Sequence, residues 1–221
     1  SLDGFAPTLD GPLEAKNVSC LRQGLKLLDP HIAGNFRLSK DYGNWLGKGE
    51  FSLAKFTSGA NLLHRAGGTL EFDGDANRTN FIARLAQAKL ESDVLRTRQL
   101  TLDAQGNVTT IGGDIAVAAR GAAALSGGEL SKSLLVQVDG LTEKGQDTPL
   151  GPMLLRLGNG IKGAGRYFDA DMRYDFALGR AGRSVLTLDG VQMAARSGAN
   201  IRQNGALKLV QGRSGWELRS P

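Results

Sequence analysis

The clearest hydrophobic pattern in this chain runs from Arg166 to Leu178, where apolar and polar residues alternate. The apolar positions, which fall on one side of an extended chain, are Phe168, Ala170, Met172, Tyr174, Phe176 and Leu178. The polar positions on the other side are Asp169, Asp171, Arg173 and Asp175. Because successive side chains of a strand point to opposite faces, the pattern predicts a strand with one apolar and one charged face. At about 3.3 Å per residue it would be about 40 Å long, well beyond the usual strand of about five or six residues.

The same alternation recurs along the rest of the chain and predicts a series of hairpins. The predicted strands cover 13–18, 25–27, 32–38, 49–56, 69–74, 98–103, 108–119, 134–138, 184–189, 192–195, 199–202, 205–210 and 215–218. We expect turns at 39–44 and 105–107, and a bulge at Gly112-Gly113. Residues 80–95 suit either two strands or one amphipathic helix. Thr148 before Pro149 is a helix start signal and predicts one short helix from about Pro149 to about Gly158.

Two pairs of short segments in the chain have similar sequences. Ser58-Gly59-Ala60-Asn61-Leu62 is matched by Ser197-Gly198-Ala199-Asn200-Ile201, and Leu100-Thr101-Leu102-Asp103 by Leu186-Thr187-Leu188-Asp189. Recurrence without a fixed period favours a meander that grew by hairpin duplication over a strict solenoid. Coincidence among Gly- and Leu-rich hairpins is the alternative.

Composition supports a broad sheet rather than a thick core. The chain has 31 Gly, 6 Pro, 6% aromatic and 41% hydrophobic residues, the last spread thinly along the alternating segments. We therefore expect an all-β protein with one short helix, built as a long twisted antiparallel meander sheet. We expect a single domain over residues 3–221. Ser1-Leu2 resembles an expression-vector remnant, and we expect the chain to be a piece of a longer protein.

Charge and cysteine content exclude several classes. The net charge is +5, but the basic residues are scattered, so no nucleic-acid tract is predicted. The single Cys20 excludes an internal disulfide and a Cys-based zinc site. The sequence contains no signal peptide and no apolar stretch of about 18 residues that would span a membrane.

The chain offers few candidates for chemistry. Residues 158–163 match G-x-G-x-x-G, but they follow a predicted helix and precede a strand, the reverse of the order that binds a dinucleotide. Asp169, Asp171 and Asp175 share a strand face with Arg173, which favours cross-strand ion pairs over a cation site. His31 and His64 lack ligand-like spacing. We therefore expect no catalytic residue, no metal and no cofactor.

The pattern as a whole resembles the AsmA-like group of bacterial envelope proteins, which includes the TamB and YdbH families. The Ser-Gly-Ala-Asn units, the Leu-Thr-Leu-Asp strands and the run 147–153 before a short helix and a long strand carry the resemblance. It is closest to the YdbH-like family, whose domain has been labelled "dicarboxylate transport". Such proteins are thought to build long antiparallel sheets whose concave face is an open hydrophobic groove for acyl chains.

The resemblance implies a non-enzymatic, lipid-binding segment of an intermembrane phospholipid transport protein in the periplasm. The implied partners are a phospholipid or other acyl-chain ligand, an inner-membrane anchor elsewhere in the parent chain and an outer-membrane protein, but no nucleic acid. The residues expected to line the groove are Phe168, Met172, Tyr174, Phe176, Leu186, Leu188, Leu100, Leu102, Leu70 and Phe72. Two alternatives stay open: a structural or adhesive scaffold with a closed core, and a small-anion (dicarboxylate) binding module.

Overall fold

The fold is all-β, as the alternation predicts. The structure is a computed structural model that describes residues 6–20, 24–111, 114–132, 135–136, 139–140, 143, 155–156, 158–160, 167–179, 184–212 and 215–219. Of the residues that the structure describes, 75% are in strands and 6% are helical. The strands form one 15-stranded sheet in which every pairing is antiparallel.

Several strands are more than twice the usual length. In chain order, all the described strands are β1 Thr8–Glu14, β2 Asn17–Cys20, β3 Leu25–Leu28, β4 His31–Leu38, β5 Asn44–Ser58, β6 Asn61–Asp75, β7 Arg78–Glu91, β8 Leu95–Arg96, β9 Gln99–Ile111, β10 Asp114–Leu130, β11 Tyr167–Leu178, β12 Ser184–Ala195, β13 Asn200–Arg202, β14 Leu207–Gly212 and β15 Gly215–Arg219. The predicted long strand is β11, so that prediction is confirmed.

Strand order follows the chain almost throughout, which makes the sheet a meander. Strands β4, β5, β6, β7, β9, β10, β11, β12, β14 and β15 are successive neighbours, with β1 beside β4. The hairpin of β2 and β3 joins the far end of β5, and β13 joins the far end of β12. Strands β1 and β15 lie at opposite ends of the order and do not pair with each other.

The hairpin turns are built by local polar side chains. In the predicted 39–44 turn, the backbone N–H of Ser39 donates to the Asn44 carbonyl oxygen at 2.8 Å. The Asn44 N–H donates to Ser39 Oγ at 2.9 Å. At the β6–β7 turn, Asp75 Oδ1 accepts from the N–H groups of Asn77 at 2.7 Å and Arg78 at 2.8 Å. Such side-chain to backbone bonds explain why polar residues mark these turns in the sequence.

Two predictions around β9 are wrong. Residues 105–107, predicted as a turn, lie inside β9 and pair with both neighbouring strands. The single strand predicted for 108–119 is two strands, because β9 ends at Ile111 and Asp114 pairs directly with it. Gly112 and Gly113, the predicted bulge, lie outside the described residues. A glycine can mark a turn, but it can also mark a strand position where a neighbouring backbone comes close, and Gly106 is of the second kind.

In the connection between β10 and β11, the described residues after Ser131 are helical. Helical residues are Lys132, Leu135, Val136, Asp139, Gly140, Glu143, Leu155, Arg156 and 158–160. The strand predicted over 134–138 is therefore wrong at Val136, since a short apolar run suits both structures. Of the helix predicted from Pro149 to Gly158, the described positions are helical, and Asn159 and Gly160 continue it.

The two Ser-Gly-Ala-Asn segments are both hairpin turns, but with different geometry. In the first, Ser58 and Asn61 form the last pair of a two-residue turn, with Gly59 at φ 58°. In the second, the turn is wider: the Ala195 N–H donates to the Ala199 carbonyl oxygen at 2.8 Å. The similar sequences therefore mark equivalent positions in two hairpins without fixing the turn type.

Candidate functional site: the apolar face of the sheet

Three rows of apolar residues cross the sheet from strand to strand. The first row is Leu9, Phe36, Gly47, Phe72, Phe81, Gly106, Ala119, Phe176, Leu186 and Leu209. The second is Gly11, Gly34, Gly49, Leu70, Ala83, Ala104, Gly121, Tyr174, Leu188 and Leu207. The third is Leu13, Ile32, Phe51, Gly68, Leu85, Leu102, Ala123 and Met172. We call the surface formed by these rows the apolar face.

The apolar face is not a filled core. Every side chain in the three rows is half-buried or exposed, and only Gly47, which has no side chain, is buried. Leu9 and Leu13 near the β1 edge are 47% and 48% exposed. Tyr174 supplies the only polar side-chain atom in the rows. A continuous, partly exposed hydrophobic surface of this size typically marks an interaction site.

The opposite surface, here the charged face, carries matched charges. Lys48 Nζ lies 2.6 Å from Glu71 Oε1. Arg84 Nε lies 3.4 Å from Asp103 Oδ1. Arg173 Nη2, on β11, lies 3.3 Å from Asp189 Oδ2. These side chains are well exposed, so each pair contributes little stability. The charged face is thus the water-facing side that the alternation in β11 predicts.

Glycines on the apolar face allow the sheet to bend toward that face. A Cβ atom added to Gly68 would overlap the backbone oxygen of Arg84 on the next strand. A Cβ at Gly106 would overlap that of Ala118, and one at Gly34 that of Lys48. The neighbouring backbone therefore occupies the space where a side chain on this face would begin. Glycine kinks of this kind give a sheet its curvature, so the apolar face is the concave side at these positions.

Large side chains on this face lie across a glycine onto the second strand away. Trp45 is opposite Gly74, and its Nε1–H donates to Oγ1 of Thr79, beyond Gly74, at 3.0 Å. Tyr174 is opposite Gly121, and its hydroxyl donates to the backbone oxygen of Asp103 at 3.0 Å. The indole N–H of Trp45 and the hydroxyl of Tyr174 therefore both have hydrogen-bond acceptors within the sheet. The rings therefore present their apolar surfaces to the space above the face.

Burial raises the pKa of the Tyr174 hydroxyl, and the negative charge of Asp103 raises it further. The phenol thus stays neutral and continues to donate its proton across the physiological range. Tyr174 is the only titratable residue in the three rows, and its surroundings favour the uncharged form of the phenol.

All ten residues predicted to line a groove lie on this one side of the sheet. Phe72, Phe176 and Leu186 are in the first row, Leu70, Tyr174 and Leu188 in the second, and Leu102 and Met172 in the third. Leu100 belongs to the next line of side chains, with Leu125, Ala170 and Met193. Nine of the ten are half-buried, and Phe168 is the exception at 4% exposed.

Phe168 belongs to the packed end of the face. It forms a buried cluster with Leu125 and Ala170, against which Leu95, Leu100, Leu130, Met172 and Met193 pack. A ligand on the face has no access to Phe168 in this arrangement, so its expected contact with a ligand becomes a packing role. Met172 borders the cluster and the open rows.

Sequence reasoning missed Phe36, Phe81, Leu9 and Leu209 in the first row. The alternation in β4 and β14 was visible, but their positions relative to β11 depend on strand register. Phe81 lies in a segment with helical as well as strand spacing, and its assignment stayed open. The glycines of the rows gave no signal of their own, because a glycine that admits a neighbouring ring looks the same in sequence as one in a turn.

The described residues contain no group of three or more His, Cys, Asp or Glu side chains that could hold a metal ion. Asp169 Oδ1 accepts from the Gly127 N–H at 2.7 Å, and Asp175 faces Arg120 across the strand pair. No helix among the residues that the structure describes is long and apolar enough to span a membrane.

No protein-family model matches this chain, and no curated protein or solved structure matches it.

Proposed function

We propose that this chain is a non-enzymatic, lipid-binding segment of a periplasmic protein that moves phospholipid between membranes. The observation that carries the proposal is the set of three uninterrupted apolar rows on the concave side of an open sheet, left half-exposed. A surface that binds an acyl chain needs continuity and apolar character but no reactive groups. The rows offer both, and their sole polar group is already hydrogen-bonded.

The direction of the rows suits movement along the sheet. Each row runs across the strands, and the nine steps of the first row at about 4.8 Å give about 43 Å of continuous apolar surface. Each acyl CH₂ shielded from water contributes about 0.8 kcal/mol. Because each row continues with apolar residues from one strand to the next, an acyl chain displaced by one strand again meets an apolar surface. The phosphate headgroup would stay in water at the rim.

The wider setting follows from the resemblance to AsmA-like, and in particular YdbH-like, proteins. It places the parent protein in the periplasm, anchored to the inner membrane through a segment outside this chain, with an outer-membrane protein as a further partner. These assignments are proposals that rest on the Ser-Gly-Ala-Asn and Leu-Thr-Leu-Asp units.

The main alternative is a scaffold whose apolar face is a closed core. Among the described residues the buried hydrophobic side chains are Ala66, Ala88, Leu125, Phe168, Ala170 and Ala195. Most are alanines, and the larger two belong to the packed end. The half-exposure of Phe72, Phe81 and Phe176 favours the groove, because a core would bury these rings first.

Native mass spectrometry of the purified protein tests the proposal, with Phe176→Asp and Ala177→Asp as a matched pair. Phe176 lies in the first row, and its neighbour Ala177 is exposed on the charged face. We expect wild type and Ala177→Asp to carry phospholipid, and Phe176→Asp to fold but lose it, since its carboxylate still reaches water yet repels acyl chains. Lipid-free wild-type protein together with insoluble Phe176→Asp would support the scaffold instead.

A further inference from the structure

Three basic residues stand directly opposite one another on adjacent strands. Lys55 on β5 pairs with His64 on β6, and His64 pairs with Lys89 on β7. We call these three residues the basic ladder. The two lysines stand on either side of an imidazole that adds a third positive charge only when it is protonated, and like charges directly opposite each other in a sheet are unfavourable. No described carboxylate forms an ion pair with Lys55 or Lys89.

Apart from Lys208 opposite Arg219 on β14 and β15, several cross-strand pairs on the charged face join opposite charges. Lys48 is opposite Glu71, Arg84 is opposite Asp103, and Arg173 is opposite Asp189. Each of these pairs brings opposite charges within ion-pair distance. The basic ladder is therefore a local departure from the charge matching that the same strands maintain elsewhere.

A depression of ≈ 720 Å³ lies beside the ladder, and two further cationic side chains line it. Its lining includes His64, Arg65, Lys89 and Arg98. Arg65 and Arg98 also have no carboxylate partner among the described residues. The carboxylate in the lining, Glu91, is already 3.2 Å from Arg96 Nη2 and 3.6 Å from His64 Nε2. The depression is thus left with a clear excess of positive charge.

The backbone at this place is also irregular. Arg65 has φ 52°, a left-handed conformation that non-glycine residues seldom adopt. The register between β6 and β7 shifts on both sides of Gly67, two residues after Arg65. Bulges of this kind redirect a side chain and are enriched at functional sites. Arg65, at this irregularity, lines the depression.

We propose that His64 and Lys89 of the basic ladder, with Arg65 and Arg98, bind a phosphate group, either as a free phosphate compound or as a phospholipid headgroup. Guanidinium groups bind phosphate oxygens with two parallel hydrogen bonds, and lysine adds a point charge. A bound dianion offsets the unpaired positive charges of Arg65, Lys89 and Arg98. The site lies on the charged face, opposite the apolar rows, so it does not depend on the proposed acyl-chain groove.

Titration of ¹⁵N-labelled protein with inorganic phosphate in about 20 mM salt tests the site, since weak screening preserves such contacts. We expect amide shifts concentrated at 63–66, 87–91 and 97–99. Arg65→Gln combined with Lys89→Gln should weaken phosphate binding by about tenfold or more through loss of two charge-assisted contacts. The matched control, Lys48→Gln with Arg84→Gln, removes the same charge from the same face and should bind phosphate as wild type does. Succinate serves as the anion control.

A second arm separates the two sources of phosphate. Vesicles with roughly 30% phosphatidylglycerol retain the wild-type protein, and inorganic phosphate releases it, if the site binds headgroups. Saturable phosphate binding without vesicle binding assigns a soluble phosphate compound. Scattered shifts, equal binding of succinate, or equal losses in both double variants would overturn the proposal. Because shift mapping uses wild-type protein, the test stands even where a variant fails to fold. Loss of lipid in Phe176→Asp with phosphate binding intact would concern the groove alone.

Discussion

The rings of Phe36 and Phe72 stack with their centroids 5.9 Å apart and their planes at 20°, although a whole strand separates them. The residue between them is Gly47, which pairs with both. A Cβ atom on Gly47 would lie 2.5 Å from each ring. The absence of a side chain at one position therefore lets two aromatic residues close over the strand and form a smooth apolar floor.

Gly47→Ala should force these rings apart. We expect the free energy of unfolding to fall by about 1–3 kcal/mol, as for other substitutions that overfill a packed position. Urea unfolding measures the change. Gly67→Ala on β6 is the control, because its Cβ would meet no atom closer than 3.7 Å and its backbone needs no positive φ. That variant should be neutral or more stable by up to about 1 kcal/mol. Equal losses in both variants would contradict the role of the ring pair.

Phe168 and Phe176 occupy the same strand face but differ in burial, so truncating them should have unequal effects. Phe168→Ala should lower the free energy of unfolding by about 3–5 kcal/mol, since it leaves a cavity in the packed cluster. Phe176→Ala should cost about 1–2 kcal/mol, because its ring is only partly removed from water. Chemical denaturation of both variants checks this. A Phe176→Ala loss as large as that of Phe168→Ala would indicate a closed core.

Asp75 should contribute to acid sensitivity. Hydrogen bonds from the N–H groups of Arg78 and Asn77 hold the pKa of this carboxyl below its ordinary value of 3.8. A lowered pKa means that the folded state releases the proton more readily. Its contribution to stability is therefore present above pH 3.8 and is lost as the pH falls through the folded-state pKa. Asp75→Asn should show a weaker decline in stability below pH 3.8, measured by thermal unfolding across pH.

The exposed Asp171 supplies the control for that experiment. Asp171→Asn removes a carboxyl on the charged face that accepts no hydrogen bond from a described residue, so it separates the loss of the turn hydrogen bonds from the loss of a surface charge. A decline that is identical in wild type and Asp75→Asn would show that the turn hydrogen bonds do not carry the effect.

The hydroxyl of Tyr174 should lose its proton only above pH 10.0. Burial and the Asp103 charge raise the pKa of its hydroxyl above 10.0. Because the folded state favours the protonated phenol, this contribution to stability is complete below pH 10.0 and is lost as the pH rises through the folded-state pKa. The ultraviolet difference between wild type and Tyr174→Phe should have its midpoint above 10.0. The variant should also lose about 1 kcal/mol with the hydrogen bond to Asp103. A midpoint at or below 10.0 would place the ring in water.

The sequence by itself determined the all-β class, the long strand at β11 and the division into an apolar and a charged face. These properties are local: alternation with a period of two is a property of a single strand, and turn residues such as Ser39 and Asp75 act on their own backbone. The ten candidate groove residues were found on one side of the sheet for the same reason, since each came from a strand with clear alternation.

Only the tertiary structure decided which residues stand opposite each other. Strand register is a long-range property that depends on turn length, bulges and neighbouring strands. Gly47 between Phe36 and Phe72, and His64 between Lys55 and Lys89, are separated along the chain and carry no local sign of their meeting. Burial of Phe168 likewise depends on Leu95 and Leu130 packing over it. A residue's face follows from its own strand, but its neighbours are set by the whole sheet.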